Sequence, residues 1–220
     1  MELTSLEGAS LLSYSPRGIG PAADLARGWK DYLKAGMAWG SPPRSVSQYA
    51  ADYIARNASS LPFRSFFSPS TVVVPAPKSA LHREGSLWVP HQIATALIEN
   101  GLGGRVGTLL RRAIPIPKVA TSIASERPSA QRHFETMAVQ TDLSRVQDIL
   151  IVDYIVTRGA TLLGAANRLH ESYPGVPIKA FAAMRTVSNP SMFRALNEPL
   201  VWTISLLPDG STFRRPETPY

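Results

Sequence analysis

One stretch limits the possible folds more than any other: ILIVDYIVTRGATLLGAANRL, residues 149–169. Ile149-Leu150-Ile151-Val152 is a continuous apolar run, too short for a helix and flanked by Asp148 and Asp153. An unbroken run of β-branched and aliphatic residues marks a strand buried on both faces, as in a parallel sheet. Gly159 to Glu171 then reads as a helix, with Leu162, Leu163, Ala166 and Leu169 on one face. A buried strand leading directly into an amphipathic helix is half of a βαβ unit, which places the chain in the α/β class. It also sets Asp153 at the carboxyl end of a parallel strand, the edge where open α/β sheets bind ligands.

The neighbouring segments repeat the alternation. Thr71-Val72-Val73-Val74, closed by Pro75-Ala76-Pro77, reads as a strand feeding a loop. A helix is expected from Val89 to Asn100, ended by Gly101. Strands are expected over Ile178–Met184 and Leu200–Leu207, and a short one over Met137–Gln140. Leu109–Ile116 fits neither period. Asn189 caps a short helix with Pro190 at its first position. Ahead of the first clear strand, residues 22–38 and 45–58 carry helical stripes, Leu25/Trp29/Tyr32/Leu33 and Val46/Tyr49/Ala50/Tyr53/Ile54. The expected organisation is therefore a helical N-terminal extension over 1–65 and an α/β domain over 66–220. Its sheet is mostly parallel and flanked by helices. The tail after Pro208 is polar and proline-rich and is expected to be ordered only by docking.

Composition narrows the chemistry. The 220 residues include no cysteine, which excludes disulfide scaffolds, zinc–thiolate sites, iron–sulfur clusters and thiol nucleophiles. No run of about 18 apolar residues occurs, so no membrane span is expected. The N-terminal stretch lacks the positive start of a secretory signal, and a cytoplasmic location is the expectation. Lys and Arg total 23 against 16 Asp and Glu, a net charge of +7. Arg105, Arg111, Arg112, Lys118, Arg127 and Arg132 are opposed in their stretch only by Glu126. Such an arginine-rich run suits phosphate oxygens and is expected to contact a nucleic-acid backbone, DNA first.

The turn Thr157-Arg158-Gly159-Ala160-Thr161 has the residue types of a phosphate cradle. Small residues let backbone N–H groups converge, two threonines add hydroxyls, and a helix start adds its dipole. A carboxylate shortly before a phosphate nest matches the spacing of hydroxyls and phosphate in a sugar 5-phosphate. At these residues the chain resembles the type I phosphoribosyltransferases, whose hallmark is four apolar residues, two adjacent acids and a Thr/Gly-rich turn. Within that family it is most similar to the ComF branch, associated with DNA uptake. VVVPAPKSA from Val72, REGSLWVPHQIATAL from Arg83 and ERPSAQRHF from Glu126 resemble, in turn, the first core strand with its pyrophosphate loop, the segment that follows, and the hood. The resemblance spans roughly residues 70–186. It implies a phosphoribosyltransferase-type scaffold acting at the anomeric carbon of a ribose 5-phosphate unit.

Three departures redirect that implication. Tyr154 stands where the family has its second acid, Arg158 where it has a second threonine, and Cys-free helices where the branch has a zinc module. One carboxylate suits a 2-deoxy sugar better than a ribose with two vicinal hydroxyls. Arg158 supplies a charge-assisted donor for a backbone phosphate. The expected function is an N-glycosylase-like enzyme on nucleic acid, including DNA with modified bases, with Asp153 catalytic and no cofactor or metal. Residues 157–161 would hold phosphate. Tyr154, Lys78, His82, Arg83 and His133 would contact sugar or base. The alternatives are a phosphoribosyltransferase using magnesium and phosphoribosyl pyrophosphate, and a non-catalytic ComF-like DNA-binding module.

Overall fold

The computed structural model describes residues 1–117, 127–140 and 145–216. The chain opens with strand β1 (Ser5–Tyr14), then helix α1 (Pro21–Ala35), the small strands β2 (Ala38–Trp39) and β3 (Arg44–Ser45), and helix α2 (Val46–Asn57). Next come β4 (Thr71–Pro75), α3 (Val89–Glu99), β5 (Arg105–Val106), β6 (Leu110–Arg112), α4 (Ala130–Thr136) and β7 (Met137–Val139). The last part runs β8 (Asp148–Val156), α5 (Ala160–Ser172), β9 (Ile178–Thr186), β10 (Asn197–Leu206) and β11 (Thr212–Pro216). Among the described residues, seven strands form one sheet in the order β11-β10-β1-β9-β8-β4-β5. The five from β1 to β5 are parallel, and β10 and β11 extend the β1 side antiparallel. The α/β class with a mostly parallel, helix-flanked sheet is the one read from the sequence.

Strand alternation sorts the core into two layers. Val73, Leu150, Val152, Phe181 and Ala183 face a cluster shared with α1, α2 and α3. Val72, Val74, Ile149, Ile151, Ala180 and Ala182 face the other, built with α4 and α5. The continuous apolar run of β8 is thus explained residue by residue, because both of its faces are covered. Helix boundaries follow local chemistry. Gly36 (φ 62°) closes α1, its N–H donating to the Leu33 carbonyl and the Met37 N–H to the Tyr32 carbonyl, slightly earlier than the expected end at 38. Ser45 and Gln48 form a reciprocal capping box at the start of α2.

The helical extension over 1–65 needs a correction. Its two helices form, but residues 5–14 are a strand inside the main sheet, between β9 and β10. This strand is poor in β-branched residues because it must be small: a Cβ on Gly8 would lie 2.1 Å from the Trp202 ring. A bulge between Ser10 and Leu12 turns both Leu11 and Leu12 into the same core layer. The tail after Pro208 docks on the sheet as β11, which pairs with β10 from Trp202↔Pro216 to Leu206↔Thr212.

Candidate functional site

Asp153 lies within β8 rather than in an open turn, because β8 continues to Val156. β4 stops alongside it at Pro75↔Val152, while β9 still pairs at Asp153↔Ala182. The side chain is 9% exposed, and its Oδ1 accepts a 2.7 Å hydrogen bond from the Tyr154 N–H. Burial pushes the carboxyl up to about 7, and that one N–H only partly offsets the shift. Asp153 is therefore a buried aspartate, poised to exchange a proton near neutrality. Tyr154 takes the opposite face of the strand and packs on the α1–α3 layer. Burial, then the charges of Asp153 and Tyr14, raise its phenol to about 12. Strand alternation thus separates the two side chains and removes Tyr154 from the sugar or base contacts expected of it.

The turn after β8 is held from three sides. Thr157 Oγ1 lies 2.9 Å from Thr186 Oγ1, and Thr186 Oγ1 in turn lies 3.3 Å from Tyr14 Oη. The Thr157 carbonyl accepts from Arg214 Nε at 3.0 Å, and Arg214 Nη2 donates to the Thr186 carbonyl at 2.8 Å. Gly159 has φ 90°, and a Cβ there would sit 2.2 Å from Ile204 Cδ1, so conformation and space both require glycine. α5 begins at Ala160 with no capping side chain and no acid in its first turn. Its first N–H groups and dipole therefore face no protein anion of their own first turn. Arg158 is exposed, with no hydrogen bond or ion pair to a described residue.

Thr161 connects this turn to a buried polar line. Its Oγ1 lies 3.3 Å from His133 Nε2, and His133 Nδ1 lies 3.4 Å from Arg112 Nη2. Arg112 donates from Nε to the Lys78 carbonyl (3.0 Å) and from Nη1 to Thr136 Oγ1 (2.7 Å). Guanidinium only donates, so Nδ1 of His133 accepts and its proton sits on Nε2. Burial, then the Arg112 charge, hold His133 down to about 3, so the ring is neutral at pH 7. Burial also lowers Arg112 to about 10. These two residues correct the sequence reading. His133 is 2% exposed and braces the turn instead of meeting a leaving base, and Arg112 is 4% exposed and out of reach of a nucleic-acid backbone. Gly164 allows the approach of α4 to α5, since a Cβ there would be 2.6 Å from both His133 Cβ and the Ala130 carbonyl.

The other expected contacts divide. Lys78 and His82 line a cavity of about 280 Å³ with Trp88, Arg111, Arg112 and Gln140. Asp153 and residues 157–161 are not among its lining residues. Arg83 is exposed outside that lining, its carbonyl accepting from the Ser86 N–H at 3.1 Å. Arg111, Arg127 and Arg132 are exposed, Arg132 lying 3.9 Å from Glu135, whereas Arg105 is half-buried on β5. Lys118 lies outside the described residues. Sequence reasoning missed Arg214 and Thr186, whose roles arise from strand pairing across the sheet. Trp88, half-buried, forms part of the cavity wall.

Comparison with known proteins adds little. No protein-family model matches the chain, and no curated protein matches it. One solved structure, described as an analysis of an invariant aspartic acid in HPRTs in its glutamic acid mutant, aligns over 82% of this chain and 93% of its own. It is 14% identical with a TM-score of 0.32, a likeness too low to carry weight on either fold or activity.

Proposed function

We propose that the chain holds the (deoxy)ribose 5-phosphate unit of a nucleotide at the β8–α5 turn and hydrolyses its N-glycosidic bond. The observation that carries this reading is the pairing of a single buried carboxylate, titrating near neutrality, with an uncapped helix start on the same strand–turn–helix. In the reaction the C1′–N bond breaks and its electrons leave with the base. Water adds to C1′ and gives its proton to the Asp153 carboxylate, which also stabilises the oxocarbenium-like state. Phosphate would lie against the first N–H groups of α5 with Arg158 beside it.

The sequence resemblance to phosphoribosyltransferases supports a scaffold of that type. The family's magnesium and phosphoribosyl pyrophosphate do not fit these residues well: Tyr154 takes the place of the second acid and turns to the other face of β8. A lone carboxylate favours a 2-deoxy sugar. The net charge of +7 and exposed Arg111, Arg127, Arg132 and Arg158 favour DNA as its source. A polymer substrate would have to be extruded into the site.

The deciding experiment is mass spectrometry of bases released from deoxynucleotides and from single- and double-stranded DNA, including modified bases. Release should need no added cofactor and should rise with pH through about 7 as Asp153 ionises. It should fall by roughly 100-fold or more in Asp153→Asn. Release untouched by that substitution refutes the role of Asp153. Turnover only with magnesium and phosphoribosyl pyrophosphate replaces hydrolysis by transfer, and DNA binding without release leaves a binding module.

A further inference from the structure

Two loops at the carboxyl edge of the sheet carry the same pair of side chains. The loop after β1, residues 15–20, holds Arg17 and Ile19, and the connection from β9 to β10, residues 187–196, holds Met192 and Arg194. In each, an arginine stands two positions from a large apolar residue, and all four side chains are exposed. Ile19 at 97% and Met192 at 60% are the two most exposed large hydrophobic residues among those described. The backbone that presents them is tied down. Arg17 Nη2 donates to the Ser188 carbonyl at 2.9 Å, joining the loops to each other. The Val187 N–H donates to the Tyr14 carbonyl at 2.8 Å, Ser13 Oγ to the Ala195 carbonyl at 2.6 Å, and Arg27 Nη1 to the Gly18 carbonyl at 2.6 Å.

Neither loop contains an acid. Glu198, just beyond the second, is taken by buried Arg185, which donates to both its carboxylate and its carbonyl. Arg194 has no hydrogen bond or ion pair to a described residue, and Arg17 meets only a neutral carbonyl. Cations without counter-charge, set beside apolar groups held in water, complement a polymer that offers phosphates and base faces in turn. We infer that the two loops clamp a single strand of nucleic acid, with Arg17 and Arg194 on backbone phosphates and Ile19 and Met192 against bases. A single strand is specified because the base faces of a duplex are stacked on one another. The inference extends the reading that the β8–α5 turn holds a nucleotide. Thr186, where β9 ends and the second loop begins, lies 2.9 Å from Thr157 of that turn. From the end of β8 to the end of β1 is two strand spacings, roughly 10 Å, so the clamp would take nucleotides close to the one in the turn.

Fluorescence anisotropy of a labelled oligothymidylate on the full chain, titrated with salt, tests it. Arg17→Gln and Arg194→Gln should each weaken binding and each lower the slope of log affinity against log salt by about 0.7. Ile19→Ser and Met192→Ser should each weaken binding by roughly ten-fold, the scale of one buried apolar side chain, with the slope unchanged. A duplex of the same length should compete less well than the unlabelled strand. Binding indifferent to the arginine variants or to both serine variants, or equal competition by the duplex, overturns the clamp. Anionic phospholipid vesicles bound with the same dependence on the four residues overturn nucleic acid as the occupant. Base release from free deoxynucleotides should be the same in all four variants as in the wild type. Such release with oligonucleotide binding insensitive to the variants keeps the glycosidic reading and refutes the clamp. No release from any substrate, with binding still sensitive to them, refutes that reading and keeps the clamp.

Discussion

Asp153 should make this protein less stable as it becomes more active. Its carboxyl moves from an ordinary 3.8 to about 7 in the folded state because burial disfavours the charge. The folded chain therefore holds that proton more tightly than the unfolded chain. Stability from this group is complete below about 4, declines as pH rises, and is lost once pH passes about 7. Each pKa unit is worth about 1.4 kcal/mol, so the full loss is a little over ~4 kcal/mol, and about 3 kcal/mol of it falls between pH 5 and pH 8. Asp153→Asn removes the titration and keeps an oxygen to accept the Tyr154 N–H. Urea denaturation of both proteins across that range isolates the term, since every other titrating group cancels in the difference. The variant should match the wild type below about pH 4 and gain on it by about 3 kcal/mol between pH 5 and pH 8, or roughly 5–10 °C in melting temperature for a chain of this size. A difference that stays flat with pH, or a wild type that gains on the variant as pH rises, refutes a buried carboxylate with a raised pKa.

Two further substitutions probe how the turn is held. Gly159→Ala meets both a left-handed backbone and Ile204, and should cost at least ~2 kcal/mol; adding Ile204→Ala should recover the steric part but not the conformational part, as read by chemical denaturation. Arg214→Met keeps the aliphatic stem but strands the Thr157 and Thr186 carbonyls, at about 1–3 kcal/mol each. Faster amide exchange in residues 157–161 should report the loosened turn.

Legibility in the sequence followed the range of the interactions involved. The β8–turn–α5 unit could be read because its determinants are local: an apolar run, a glycine and a helical stripe, matched by Asp148–Val156 and Ala160–Ser172. β1 could not be read, because its small residues make sense only against Trp202, whose Nε1–H donates to Ser10 across 192 positions of sequence. Arg112 and His133 looked like surface chemistry, since nothing near them in sequence shows that α4 and α5 close over both. The face taken by Tyr154 followed from alternation, but only once β8 was known to continue past Asp153. Arg214 gave no signal beyond an arginine pair in a polar tail, because its partners lie in the turn after β8 and at the end of β9.

The position of β1 also has a consequence for synthesis. β1 is an interior strand of the sheet, and both of its neighbours, β9 and β10, lie far downstream of it in the chain. At roughly 5–20 residues per second, a ribosome needs on the order of ten seconds or more to make β9 after completing β1. Throughout that interval Ala9, Leu11 and Leu12 have no sheet to enter, and the strand's N–H and C=O groups are open on both edges. The α1–α2 segment leaves the ribosome next and offers this strand its first apolar cover. The sheet itself closes only once β9 and β10 have emerged, so nascent chains stalled before residue 178 should recruit holdase chaperones, and those extended beyond 206 should not.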